Sequence, residues 1–117
     1  SVFPVLGARR NQLAGTMSGG EMQMLALARG LGGDPAVLLI DELSMGLAPR
    51  VVAELYDAVS AVADAGVAVL VVEQFATIAM QYAAEVMVMN HGRITFRGSS
   101  ARAHDAIHQA YLGVQRA

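Results

Sequence analysis

The sequence predicts an α/β fold, a mainly parallel sheet flanked by helices and followed by a C-terminal β-hairpin and helix. Three observations predict it. Two unbroken apolar runs, Val37 to Ile40 and Val67 to Val72, each end in polar residues, Asp41 and Glu42 in the first case and Glu73 and Gln74 in the second. Between them lies one apolar stripe at helical spacing, Val51, Val52, Leu55, Tyr56, Val59 and Val62. Near the C-terminus the chain turns at Asn90, His91 and Gly92 between two further strand-like stretches. Strands too apolar to have a wet face belong in parallel sheets covered on both sides. Two of them joined by a helix form a βαβ unit, which gathers the polar residues at one edge of the sheet.

Composition agrees with a buried core. Of 117 residues, 55% are apolar and 15% charged, which separates the chain from disordered tails. The length allows one domain or part of one, so residues 1–117 are read as a single stretch of one domain. The net charge is -2 and the eight basic residues are all arginines, scattered along the chain. No basic stripe marks a nucleic-acid surface, and no nucleic-acid partner is expected. With no cysteine there is neither a disulfide framework nor a thiolate metal site. No apolar run approaches the roughly eighteen residues of a spanning helix, and no signal peptide opens the sequence, so a soluble or peripheral protein is expected. The opening Ser1, Val2, Phe3, Pro4 has no start-of-domain character, and a piece of a longer protein is expected.

Taken in order, residues 1–17 read as a loop-rich opening with Pro4, Gly7, Gly15 and the pair Arg9 and Arg10. Ser18 followed by Glu21 is a capping-box pattern, worth about 0.5 to 2 kcal/mol, and the helix Met22 to Leu31 runs from it to the stop at Gly32 and Gly33. Gly19 and Gly20 leave the first-turn amides bare, which suits an anion site and phosphate in particular; an ordinary capped helix fits the same residues. A strand over 36–41 follows. Its terminal acids, Asp41 and Glu42, point in different directions because strand side chains alternate, so one suits a metal and the other a water; a plain polar turn also ends strands this way. Pro49 fits the first position of a helix over about 50–64, stopped by Gly66. Residues 75–83 read as a short helix, Val86 to Met89 as a third apolar strand, and Arg93 to Arg97 as its hairpin partner. The tail from Ser100 to Leu112 reads as a helix with Ala103, Ile107, Ala110 and Tyr111 as its stripe. His91 suits the left-handed position of the turn. His104 and His108, spaced i and i+4, suit a metal clip or a solvated helix face. The seven methionines fall at apolar positions and read as core filling.

Met17 to Glu21, Gln23, Ala28 and Arg29, then Val37 to Glu42, then Gly46 to Pro49, then Val72 to Gln74 resemble, in order and spacing, the second half of an ABC-type ATPase, a P-loop NTPase. The segments match that family's signature motif, Walker B strand, D-loop and switch region, and the Asn90 to Gly98 hairpin resembles its closing β-turn. The wording of Gly46 to Pro49 and of Tyr111, Leu112 and Gly113 is similar to the ATP-binding subunits of bacterial branched-chain amino-acid importers.

The resemblance implies ATP and Mg²⁺ as cofactors. Ser18, Gly19, Gly20 and Glu21 would bind the γ-phosphate of ATP held by the opposite subunit, Asp41 would orient Mg²⁺ through water, Glu42 would act as general base, and Gln74 would contact the γ-phosphate. It also implies a head-to-tail dimer with a second ATPase subunit, transmembrane permease subunits as partners, and a cytoplasmic, peripheral position on the inner face of the cell membrane. Gln74 stands where most of the family carries a histidine, an amide that still donates to phosphate without becoming a cation. Phe75 replaces the usual polar neighbour. The chain holds no lysine, so the Walker A half is absent from it, as is the Q-loop, and the 117 residues alone are expected to be inactive. A truncated, non-catalytic interaction module and a soluble ABC ATPase of another process are the alternative readings.

Overall fold

The capping box, the apolar runs and the glycine stops all appear as elements of the computed structural model, which describes residues 2–74 and 76–109 in full and the backbone of 110–113. The chain divides into two compact units, residues 1–76 and 77–117.

In the first unit, helix α1 spans Pro4–Ala8 and a 3₁₀ turn spans Ala14–Thr16, where an irregular opening was expected. Pro4 sits in the first turn of α1, where its missing N–H has no intrahelical partner to lose. Helix α2 (Gly19–Leu31) starts at the Ser18 cap and yields to Gly32. Strand β1 (Val37–Asp41) pairs in parallel with β2 (Ala68–Val72), in register from Val37 opposite Ala68 to Asp41 opposite Val72. Helix α3 (Pro49–Asp64) makes the crossover between them, which completes the expected βαβ unit.

The core of this unit lies on one side of the sheet. Val52, Leu55, Tyr56, Val59 and Val62 of α3 are buried together with Met24 and Leu27 of α2, Leu38 and Ile40 of β1, and Leu43. Helix α2 packs on α3, and Gly30 of α2 lies against Leu38 so closely that a β-carbon there would stand 3.2 Å from its Cδ1. The other side differs from the expectation of strands covered on both faces. Val37 and Leu39 of β1 are 56% and 71% exposed, and Leu70 and Val72 of β2 are 45% and 56% exposed. These residues alternate with the more buried ones, Leu39 pairs with Leu70 across the ladder, and Val37 and Val72 lie on the same side, so they form one bare apolar face.

The second unit begins with α4, a four-residue turn of helix at Ala79–Tyr82, shorter than the expected helix over 75–83. Part of that expected helix, Phe75, lies outside the described residues, as do the side chains of the Ala110 and Tyr111 stripe positions and of Leu112 and Gly113. Strands β3 (Glu85–Asn90) and β4 (Arg93–Ser99) form the antiparallel hairpin. His91 at φ 47° and Gly92 at φ 75° are its two loop residues, the left-handed pair that a two-residue hairpin turn requires. A bulge follows: Val88 opposes Phe96 and Met89 opposes Ile94, so Thr95 is the extra residue, and its Oγ1 donates to the Val88 carbonyl at 3.2 Å. Arg97 Nε stands 2.6 Å from Glu85 Oε1 on the exposed side of the hairpin, and that hydrogen bond, with the charge behind it, holds the Glu85 carboxyl below its usual pKa. Helix α5 (Ser100–Gly113) packs on both strands and buries Ala103 completely. Among the described residues no helix is long and apolar enough to cross a membrane.

Candidate functional site

The start of α2 is held by a reciprocal cap. Ser18 is extended (φ -65°, ψ 162°) and its Oγ accepts from the Glu21 N–H at 3.3 Å, while Glu21 Oε2 accepts from the Ser18 N–H at 3.0 Å. The other Glu21 oxygen lies 3.1 Å from Arg9 Nη2, and the Glu21 side chain is only 16% exposed. Arg9 also donates to Gln12 Oε1 at 3.1 Å, and Gln12 Nε2 donates to Thr16 Oγ1 at 3.0 Å. Thus the segment before the cap is tied to it, and the Glu21 carboxylate is engaged at both oxygens, by the Ser18 N–H and by Arg9. Ser18 and Gly19 are exposed.

The two glycines differ in a way the sequence did not separate. Gly20 is buried, and a β-carbon on it would overlap Val51 Cγ1 at the start of α3. Its missing side chain is taken up by packing within the chain, a reason to be glycine that is separate from leaving the first-turn amides bare. A β-carbon on Gly19 would meet only Leu47 Cδ2, at an ordinary 3.4 Å. Leu47 lies in the loop that leaves β1, and Val51 in the first turn of α3, into which that loop runs. The capped turn therefore sits beside the loop that follows Asp41 and Glu42.

Asp41 is the exposed last residue of β1, on the face of Val37 and Leu39. Glu42 is half-buried and has a left-handed backbone, φ 51°, a conformation that costs a non-glycine residue about 1 to 2 kcal/mol. Hydrogen bonds hold it there. The Glu42 N–H donates to the Val72 carbonyl at 2.8 Å, and the Glu42 carbonyl accepts from the Met45 N–H at 3.3 Å. Gly46 (φ 73°) makes the next left-handed turn before α3. Gln74 is exposed just beyond β2, the strand beside β1. The sheet thus carries Asp41, Glu42 and Gln74 at the same end of two adjacent parallel strands.

Sequence reasoning gave Glu73 no role beyond marking a strand end. In the structure its carboxylate accepts from the Ser44 N–H at 2.9 Å (Oε1), from the Ser44 hydroxyl at 2.9 Å (Oε2) and from the Tyr56 hydroxyl at 2.9 Å (Oε1). Tyr56 is 2% exposed. Burial, then the hydrogen bond and charge of Glu73, push its phenol well above the ordinary tyrosine range, so it stays a donor at any ordinary pH. Only the apolar, helix-spaced context of Tyr56 was visible in the sequence; an acid placed directly before Gln74 was the one available hint of the rest.

The donor set fits a magnesium-bound nucleotide. The Ser18 hydroxyl, free to donate while its oxygen accepts, and the open first-turn amides of α2 suit a phosphate. Magnesium on a nucleotide takes one or two carboxylates and the phosphates themselves, and Asp41 is an exposed carboxylate at the end of β1. Among the described residues no cluster of three or more His, Cys, Asp or Glu forms a self-sufficient metal site. His104 and His108 are exposed on α5 and His91 serves the hairpin turn.

No protein-family model matches the chain. Individual proteins do. A high-affinity branched-chain amino acid transport ATP-binding protein of Pseudomonas aeruginosa is 41% identical over 114 residues, which cover 96% of this chain and 49% of that protein. The daunorubicin/doxorubicin resistance ATP-binding protein of Streptomyces peucetius is 37% identical over 95 residues, 81% of this chain and 29% of its own. Among solved structures, an ATP-binding cassette of an ABC transporter in its ADP conformation superposes with a TM-score of 0.73 at 26% identity, over 84% of this chain and 41% of that one. The chain therefore spans at most about half the length of these relatives. By sequence and by fold alike, this chain belongs to the family of ABC transporter ATP-binding subunits.

Proposed function

We propose that the chain is the C-terminal half of an ABC ATPase domain, with signature motif, Walker B strand, D-loop and switch region, and that the whole protein hydrolyses ATP to power import of branched-chain amino acids. The observation that carries this reading is the packing of Gly19 and Gly20 against Leu47 and Val51. It brings a phosphate-type helix start beside the loop that leaves the paired acids. The 41% identity to a branched-chain amino acid transport protein supports the choice of solute.

In this reading the Ser18 hydroxyl and the α2 amides hold the γ-phosphate of an ATP bound chiefly to the opposite subunit of a head-to-tail dimer. At the other ATP, the one its own subunit cradles, Glu42 takes the proton of the attacking water as general base, and the Gln74 amide donates a hydrogen bond to the γ-phosphate. Asp41 would hold Mg²⁺ through water, and the bound metal would neutralise charge on the phosphates. The chain's arginines are scattered and it contains no lysine, so the loop that cradles nucleotide comes from elsewhere in the protein. The 117 residues alone are expected to release no phosphate from ATP. Transmembrane permease subunits would be the partners, with the ATPase peripheral on the cytoplasmic face of the membrane.

The test uses the longer protein. Glu42→Gln keeps shape and removes the base, so ATP-driven dimerisation persists while phosphate release falls by about a hundred- to ten-thousandfold. Unchanged phosphate release would remove Glu42 from that role. The Streptomyces relative favours a second reading, drug export. Loss of leucine uptake in cells carrying the variant, with drug sensitivity unaltered, supports import; the reverse supports export.

A further inference from the structure

Glu73 lies next to Gln74 in the chain, yet its side chain works on other segments. Its two oxygens collect the N–H and hydroxyl of Ser44, 29 residues away, and the hydroxyl of Tyr56, 17 residues away. Between β1 and Ser44 stands Glu42 with its left-handed backbone. Such a conformation persists where the surroundings over-determine it, and it gathers at functional sites. Here the end of β2 does this from two sides: the Val72 carbonyl holds the Glu42 N–H at 2.8 Å, and Glu73 holds Ser44 two residues later.

We infer that Glu73 is a positioning residue for catalysis, whose carboxylate fixes the 42–44 turn through Ser44 and thereby aims Glu42 and sets its spacing from Gln74. The inference rests on the proposed role of Glu42 as base. It also explains why an acid is needed. The Ser44 N–H and the Tyr56 hydroxyl occupy one oxygen and the Ser44 hydroxyl the other. Glutamine keeps one acceptor oxygen for the Ser44 N–H and the Tyr56 hydroxyl, but it puts an NH₂ donor where Oε2 accepts, so the Ser44 hydroxyl must turn round to accept, and every one of the contacts loses the strength that the carboxylate charge gives it. The Tyr56 phenol, kept protonated by burial and by Glu73 itself, braces the carboxylate from α3.

The experiment measures kcat and KM for ATP hydrolysis, with melting temperature, in the longer protein and its Glu73→Gln, Ser44→Ala, Ser44→Thr and Glu42→Gln variants. Misplacing a catalytic group lowers kcat about ten- to a hundredfold without weakening ground-state binding. Glu73→Gln is expected to show that loss with KM for ATP within about twofold, Ser44→Ala a smaller loss of the same kind, and Ser44→Thr recovery, since threonine restores the hydroxyl. The Glu73→Gln and Ser44→Ala double variant should be no slower than Glu73→Gln alone, because both cut one linkage. Should Glu73→Gln fail to fold, Ser44→Ala and Ser44→Thr carry the test. A lowered melting temperature with kcat unchanged in both Glu73→Gln and Ser44→Ala would make the carboxylate merely structural and overturn the inference. If Glu42→Gln stops turnover while those variants do not slow it, the positioning role alone falls; if Glu42→Gln turns over normally, the base assignment falls.

Discussion

Two adjacent glycines in this chain have different reasons to be glycine. Gly20 is filled by Val51 and has no room for a methyl group, whereas Gly19 is open apart from an ordinary contact with Leu47. Overpacking at a tight site costs about 1 to 3 kcal/mol, so Gly20→Ala should lower the melting temperature of the longer protein. Gly19→Ala should leave the melting temperature near that of the parent while reducing phosphate release, because Gly19 is the glycine of the pair that stands exposed at the helix start. Thermal denaturation of both variants beside ATPase assays checks the pair; equal destabilisation would show that both glycines serve packing. The sequence made both visible as a motif but could not distinguish them, since the partner of Gly20 lies 31 positions along the chain. Glu42 is similar. Its position after an apolar strand was legible, while its left-handed backbone depends on bonds to Val72 and Met45.

Elements were readable wherever local chemistry alone decides them. Ser18 and Glu21 announced the start of α2, Pro49 the start of α3, and the His91 and Gly92 turn its hairpin. Short helices were less so. Helix α1 is too brief for periodicity to register, and the helix expected over 75–83 is reduced to the four residues of α4. Nor could the sequence show that α3 is fastened to the end of β2 through Tyr56 and Glu73. That bond has a pH signature. The folded pKa of Tyr56 is raised, so its contribution is complete below the ordinary tyrosine value of about 10 and is lost as pH rises from there toward the folded value, while the unfolded chain gives up its proton first. Melting temperatures of the longer protein should therefore fall between pH 9 and 11 more steeply than those of Tyr56→Phe. At pH 8 that variant should be less stable by about 1 to 3 kcal/mol, having lost a buried bond to a charged acceptor. Parallel pH profiles for the two proteins would contradict the assignment.

Across the whole molecule, the core of the first unit sits on one side of its sheet. The apolar strands had implied cover on both sides, yet Val37, Leu39, Leu70 and Val72 form a bare face. A sequence cannot show which of two apolar faces its own helices will cover. Exposed apolar area of this kind drives association, so the 117-residue chain in isolation should sediment as a concentration-dependent mixture of oligomers. A monomer with a cooperative, concentration-independent melt would refute this. The pairing of the capped turn with the paired acids carries the central claim, that two subunits complete each other's triphosphate site. It is tested most directly by mixing two inactive variants of the longer protein. Glu42→Gln spoils the acid half. Gly19→Asp keeps a favourable helix start but sets a negative charge against the phosphate. A shared site predicts that the mixture regains phosphate release that neither variant has alone, because one site in each mixed dimer is intact. A mixture as inactive as its components would contradict the account.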